Sequence, residues 1–138
     1  MITRTELRSI PELNRQIRRD KEQLMYLQEK ATALPPTMSE HERVQTSHTN
    51  NSNRSVDAAV DLSREINARE RELDVLTTKA TEFIESLPDT SRTEILQKKI
   101  MRYRFCDCLM WREISDLLGY DAIYIQRLAK SAETILPE

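Results

Sequence analysis

Cys106-Asp-Cys-Leu-Met-Trp111-Arg-Glu-Ile-Ser-Asp-Leu-Leu-Gly119-Tyr-Asp121-Ala-Ile-Tyr-Ile-Gln-Arg127-Leu-Ala-Lys130 is the stretch that decides the fold of this chain. Trp111, Ile114, Leu117 and Leu118 recur at helical spacing and predict a short helix with one apolar face. Gly119 predicts its end, because glycine enters the left-handed conformation just past a helix without a Cβ penalty. Asp121 is placed to cap a second helix by accepting a backbone N–H bond, with Ile125, Leu128 and Ala132 on its buried side. Two short helices joined by a three-residue glycine turn make a helix-turn-helix, the unit whose second helix enters a DNA major groove.

Working outward, Asp89-Thr90-Ser91 predicts the cap of a preceding helix that runs to about Cys106. Ile95, Ile100, Met101, Tyr103 and Phe105 are its apolar residues. Two short helices bury too little surface to fold alone, so this third one is needed as support.

Upstream, two seven-residue repeats stand out. After Ser9-Ile-Pro-Glu12, which reads as a capping box with proline in the first turn, Ile10, Ile17, Leu24 and Ala31 alternate with Leu13, Leu27 and Leu34, and Asp20 interrupts. Pro35-Pro36 ends this helix, since proline disfavours helical geometry in the residue before it. A second repeat, capped by Ser55 and closed by Pro88, places Ala59, Ile66, Leu73, Ala80 and Leu87 in alternation with Leu62, Leu76 and Phe83. Here Arg69 interrupts. Aligned antiparallel with Leu34 opposite Ala59 and Ile10 opposite Phe83, the repeats bring Asp20 and Arg69 into neighbouring layers, where they are expected to pair and fix register. The same heptads fit equally well between two chains, as a homodimer. Between the repeats, the polar stretch 35–55, with His41, His48 and Asn50 to Asn53, reads as a mobile loop.

Composition narrows the classes. The chain has 138 residues, 32% of them charged, 5% aromatic and a single glycine, which is too turn-poor for a sheet protein. Its net charge of −2 carries no overall footprint for nucleic acid. The charge is unevenly spread: residues 35–91 hold six Lys/Arg against eleven Asp/Glu, whereas residues 92–138 hold eight against seven. No secretory segment and no membrane-length apolar run is seen, so a cytoplasmic protein without membrane contact is expected. Cys106 and Cys108 lack the further ligands a structural zinc needs and read as small buried thiols. No phosphate loop, nucleophile–base spacing or carboxylate cluster appears. The expectation is therefore no enzyme, no metal and no cofactor. Arg112, Arg127 and Lys130, with Lys98, Lys99, Arg102 and Arg104 upstream, are the candidate phosphate contacts.

The run from Arg104 through Trp111 and Gly119 to Tyr120 resembles the C-terminal promoter-reading domain, region four, of bacterial sigma factors. It looks closest to small phage-encoded sigma-like proteins, the ArpU-type late transcriptional regulators and their relatives, which also carry a long helical N-terminal half. This chain departs from their pattern twice. Cys108 stands where they usually have glycine, and Met110 replaces the Ser/Thr cap, leaving Glu113 without its box partner at a cost of about 1 kcal/mol. The resemblance implies that Ala122, Ile123, Tyr124, Gln126, Arg127 and Lys130 face outward from the reading helix. Gln126 suits adenine and Arg127 guanine. Ala122, Ile123 and Tyr124 replace the charged residues usual there; they suit thymine methyls or a protein surface. The expected architecture is all-α, with a long antiparallel helical hairpin or coiled coil over 1–88 and a three-helix sigma-like head over 89–138. The expected partner is double-stranded DNA, with RNA polymerase or a repressor protein as the alternative.

Overall fold

Thr3 begins the first helix. Its hydroxyl accepts from the Glu6 N–H at 3.1 Å while the Glu6 carboxylate accepts from the Thr3 N–H at 3.2 Å, a reciprocal capping box. That N–H holds the Glu6 carboxyl below the usual carboxylate range, helped by Lys79. The contribution is present above that range and fades as the pH falls through the lowered pKa. Ile2 and Leu7, on either side of the cap, are both buried, as a hydrophobic staple requires. The computed structural model describes residues 1–32 and 46–138, and for Thr32 and residues 46–53 the backbone alone.

Among the described residues the chain is all-α, with five helices. They are α1 (Arg4–Thr32), α2 (Thr46–Glu85), α3 (Arg92–Met101), α4 (Trp111–Leu118) and α5 (Ala122–Glu133). The long helices α1 and α2 form an antiparallel pair within one chain, and the three shorter helices pack together after it. Helix α1 starts six residues earlier than the Ser9 box implies, with Thr3 rather than Ser9 as its cap. The Thr3–Glu6 box and its staple win, and Pro11 lies inside the helix, where it has no N–H for the Leu7 carbonyl. Helix α2 starts at Thr46, so residues 46–55 are helical rather than loop, and Ser55 is buried inside the helix instead of capping it. That segment lacks large apolar residues, but it also lacks glycine and proline, so nothing breaks a helix growing back from Ala59. Leu34, Pro35, Pro36, His41 and the rest of the expected loop up to residue 45 lie outside the described residues.

The chain divides into two compact units. One, Gln16–Glu70, is a length of the helical pair. Ile17, Ala59 and Ile66 are buried in it, and Leu24, Leu27, Ala31 and Leu62 are half-buried, so the heptad positions do face inward. Asp20 is 8% exposed and meets the Arg69 guanidinium across the pair, as the register requires. Gln16 donates to its other oxygen at 3.0 Å, and Lys21 bridges to Glu70 at 3.4 Å one layer away.

The other unit, Met1–Arg15 with Arg71–Glu138, holds the main core. Leu7, Ile10, Leu76, Ala80, Phe83 and Ile84 from the long helices share one buried cluster with Ile100, Met101, Phe105, Ile114, Ile125 and Ala132. The support helix is capped as expected, with Ser91 accepting from the Glu94 N–H at 3.2 Å. It does not run evenly to Cys106. Arg102–Cys106 is a π turn, and the Asp107 N–H reaches back to the Arg102 carbonyl at 3.1 Å. Ile95 is exposed, and Leu96 takes its place against the core.

The Asp20–Arg69 pair yields a test. A buried carboxylate left with Gln16 alone is costlier than no carboxylate at all. Arg69→Met is expected to lower stability in urea by about 1–3 kcal/mol, and adding Asp20→Leu to recover most of it. A double variant no better than Arg69→Met would show that the pair does not specify the seam.

Candidate nucleic-acid interface

Gly119 carries the turn between α4 and α5. Its φ of 76° and ψ of 19° are left-handed, and its N–H closes onto the Ser115 carbonyl at 2.8 Å. The Ser115 hydroxyl donates to the Tyr120 carbonyl, so one serine holds both sides of the bend. Asp121 occupies the cap position of α5 with an extended backbone, but its side chain makes no capping hydrogen bond, contrary to expectation. The carboxylate is solvated at the positive end of the α5 dipole instead. At the start of α4 the correction runs the other way. Glu113 keeps half of the capping box without a Ser/Thr partner, its carboxylate accepting from the Met110 N–H at 3.1 Å.

Just before α4, Cys108 has a φ of 56°. That left-handed position favours glycine, and a cysteine there costs about 1–2 kcal/mol of strain. Both thiols are half-buried rather than buried. The segment is braced by Arg104, whose guanidinium donates to the Leu109 carbonyl at 2.9 Å and sits 4.7 Å from the centre of the Trp111 ring. Burial pushes the Arg104 pKa below the ordinary guanidinium value, with Arg15 nearby adding to the effect.

Helix α5 divides into two faces. Ile125, Ala129, Ala132 and Glu133 are buried. Ile123, Tyr124, Arg127 and Lys130 are exposed, while Ala122 and Gln126 are half-buried. The Gln97 amide on α3 donates to the Leu128 carbonyl at 2.7 Å and pins the inner face. On α4, Arg112 is exposed; so is Leu117 at 62%, although its spacing suggests the core. With Ile114 at the centre of the inner face, Trp111 and Leu118 lie about 40–60° to one side and pack on the core, while Leu117 lies about 60° to the other, at the edge that solvent reaches. Leu117, Tyr120, Ile123 and Tyr124 thus form an exposed apolar strip along the turn, with the Tyr120 and Tyr124 rings 5.6 Å apart.

The cations sort into two groups. Lys98 bridges to Asp89 at 3.7 Å and Arg102 to Glu85 at 2.7 Å, while Arg104 braces Trp111; these three have structural work. Lys99, Arg112, Arg127 and Lys130 are exposed and have no acidic partner among the described residues. Among those residues no three His, Cys, Asp or Glu side chains gather as metal ligands, and no helix is long and apolar enough to cross a membrane. In comparison with known proteins the chain matches no family model, no curated sequence and no solved structure.

A Cβ on residue 119 would meet nothing within 4 Å, so any cost of adding one is purely conformational. Gly119→Ala is expected to lower stability by about 1–2 kcal/mol, and Gly119→Asn by less, since asparagine tolerates the left-handed region. Denaturant titration of both variants measures this. An alanine variant as stable as the parent would mean the turn does not depend on that conformation.

Proposed function

We propose that this chain is a transcriptional regulator of phage or mobile-element type that binds promoter DNA by placing α5 in the major groove. The observation that carries the reading is the outer face of α5. Arg127 and Lys130 are exposed and unpaired among the described residues, on a helix whose opposite face is anchored in the core. In this reading Arg112, Lys99 and Lys130 contact phosphates and set orientation, while Arg127 and Gln126 address base edges. Ile123 and Tyr124 pack against thymine methyls. The long helical pair serves to dimerise the protein or to hold a partner.

A second reading keeps the same surface and changes the partner. Leu117, Tyr120, Ile123 and Tyr124 are exposed apolar or aromatic side chains, and residues 110–138 carry five acids against three Lys/Arg. Both features suit a protein surface, such as a repressor or an RNA polymerase subunit, better than a polyanion.

Fluorescence anisotropy with duplex DNA across a salt series separates the two. DNA binding predicts an affinity that falls steeply with salt, and an Arg127→Ala variant that stays folded but binds about tenfold more weakly or worse. Absence of affinity at low salt, with capture of a protein through Tyr124, would replace the first reading by the second.

A further inference from the structure

Beside the outer face of α5 lies a cleft of about 340 Å³, with the core residues Phe105 and Ala129 in its lining. Its lining includes three cations, Arg8, Arg104 and Lys130, but one carboxylate, Glu133, together with Gln126 and Trp111. The carboxylate is already neutralised. Glu133 receives the Arg8 guanidinium through Nε and Nη2, each at 3.0 Å. Two positive charges are left over. Arg104 lies against the Trp111 ring and gives one of its five N–H donors to the Leu109 carbonyl, which leaves donors free. Its burial lowers its pKa without discharging it, so a partly dehydrated guanidinium faces the cleft, and an anion there is held more strongly than at an open surface. Lys130 is exposed and unpaired among the described residues.

We propose that this cleft is a phosphate-binding site, in which Arg104 and Lys130 hold the anion. The phosphate comes either from the backbone of bound DNA or from a free phosphate ester. The first source rests on the DNA-binding reading above; the second does not. With a backbone phosphate, the site extends the DNA footprint from α5 to the π turn that carries Arg104. Arg8 then acts indirectly, by removing the charge of Glu133 that would repel the ligand.

Trp111 is the single tryptophan and lines the cleft, so its fluorescence reports occupancy directly. Inorganic phosphate, then pyrophosphate, is titrated against chloride at constant ionic strength, and the titration is repeated with a short duplex present. The expected result is a saturable change in Trp111 emission, weakened at least fivefold in Lys130→Gln and in Arg104→Lys. For the duplex, Lys130→Gln should also reduce the slope of log affinity against log salt by about one. Circular dichroism checks that both variants fold. A phosphate response without duplex binding supports the cleft as a site for a free phosphate and removes the DNA reading. Duplex binding with no phosphate response, or with a response unchanged in Lys130→Gln, overturns the cleft and leaves the DNA reading standing.

Discussion

Glu133 is a carboxylate with its side chain only 6% exposed, at the end of α5, and such a group is costly unless something meets it. Arg8 meets it from a position 125 residues earlier in the chain. The Arg8 side chain is itself 59% exposed, so the pair adds little net stability. Its importance is asymmetric: a buried carboxylate without its cation would cost several times what the pair contributes. That asymmetry fixes position. It holds the first turns of α1 against the C-terminal end of α5, where the Arg4 N–H also donates to the Pro137 carbonyl at 2.8 Å and the Arg4 side chain to the Leu136 carbonyl at 2.9 Å.

Helix α5 is therefore constrained at both ends. The left-handed turn at Gly119 sets where it begins, and the Arg8 and Arg4 bonds set where it stops. Between them, Ile125, Ala129 and Ala132 pack into the shared core, and Gln97 pins the middle. A helix held this way presents one invariant outer face, which is what sequence reading of DNA demands, because base contacts need fixed register while phosphate contacts supply it. Arg127 and Lys130 sit on that face, whereas Lys98 in α3 and Arg102 and Arg104 in the π turn serve as braces. The same constraint would also serve a protein-binding surface, and the apolar strip from Leu117 to Tyr124 is why the chemistry of the partner, rather than the geometry, separates the two readings.

Much of the frame was legible in the residues. The heptads showed because a seven-residue repeat needs no tertiary knowledge to recognise, and Asp20 and Arg69 identified each other because each was the one charge in its own seam. Gly119 was legible as the only glycine in a chain that must turn there. The first helix start was misread because Ser9-Ile-Pro-Glu12 imitates a capping box; Thr3 and Glu6, flanked by Ile2 and Leu7, carried the same signal more completely. The helical character of residues 46–55 was hidden because polar composition resembles a loop even where no breaker is present. The Glu133–Arg8 bond, the π turn and the cleft had no local signature at all. Each depends on residues brought together by the fold, and an acid at the end of a helix looks like any solvated one until its burial is known.

The account turns on α5 meeting duplex DNA through its outer face. Amide chemical-shift mapping of the ¹⁵N-labelled chain with a short mixed-sequence duplex at low salt tests that most directly. The account predicts that the largest changes fall on Arg112, Ile123, Arg127 and Lys130, with the buried positions Ile125 and Ala132 moving little. An unperturbed spectrum, or changes confined to the helical pair between Gln16 and Glu70, would contradict it.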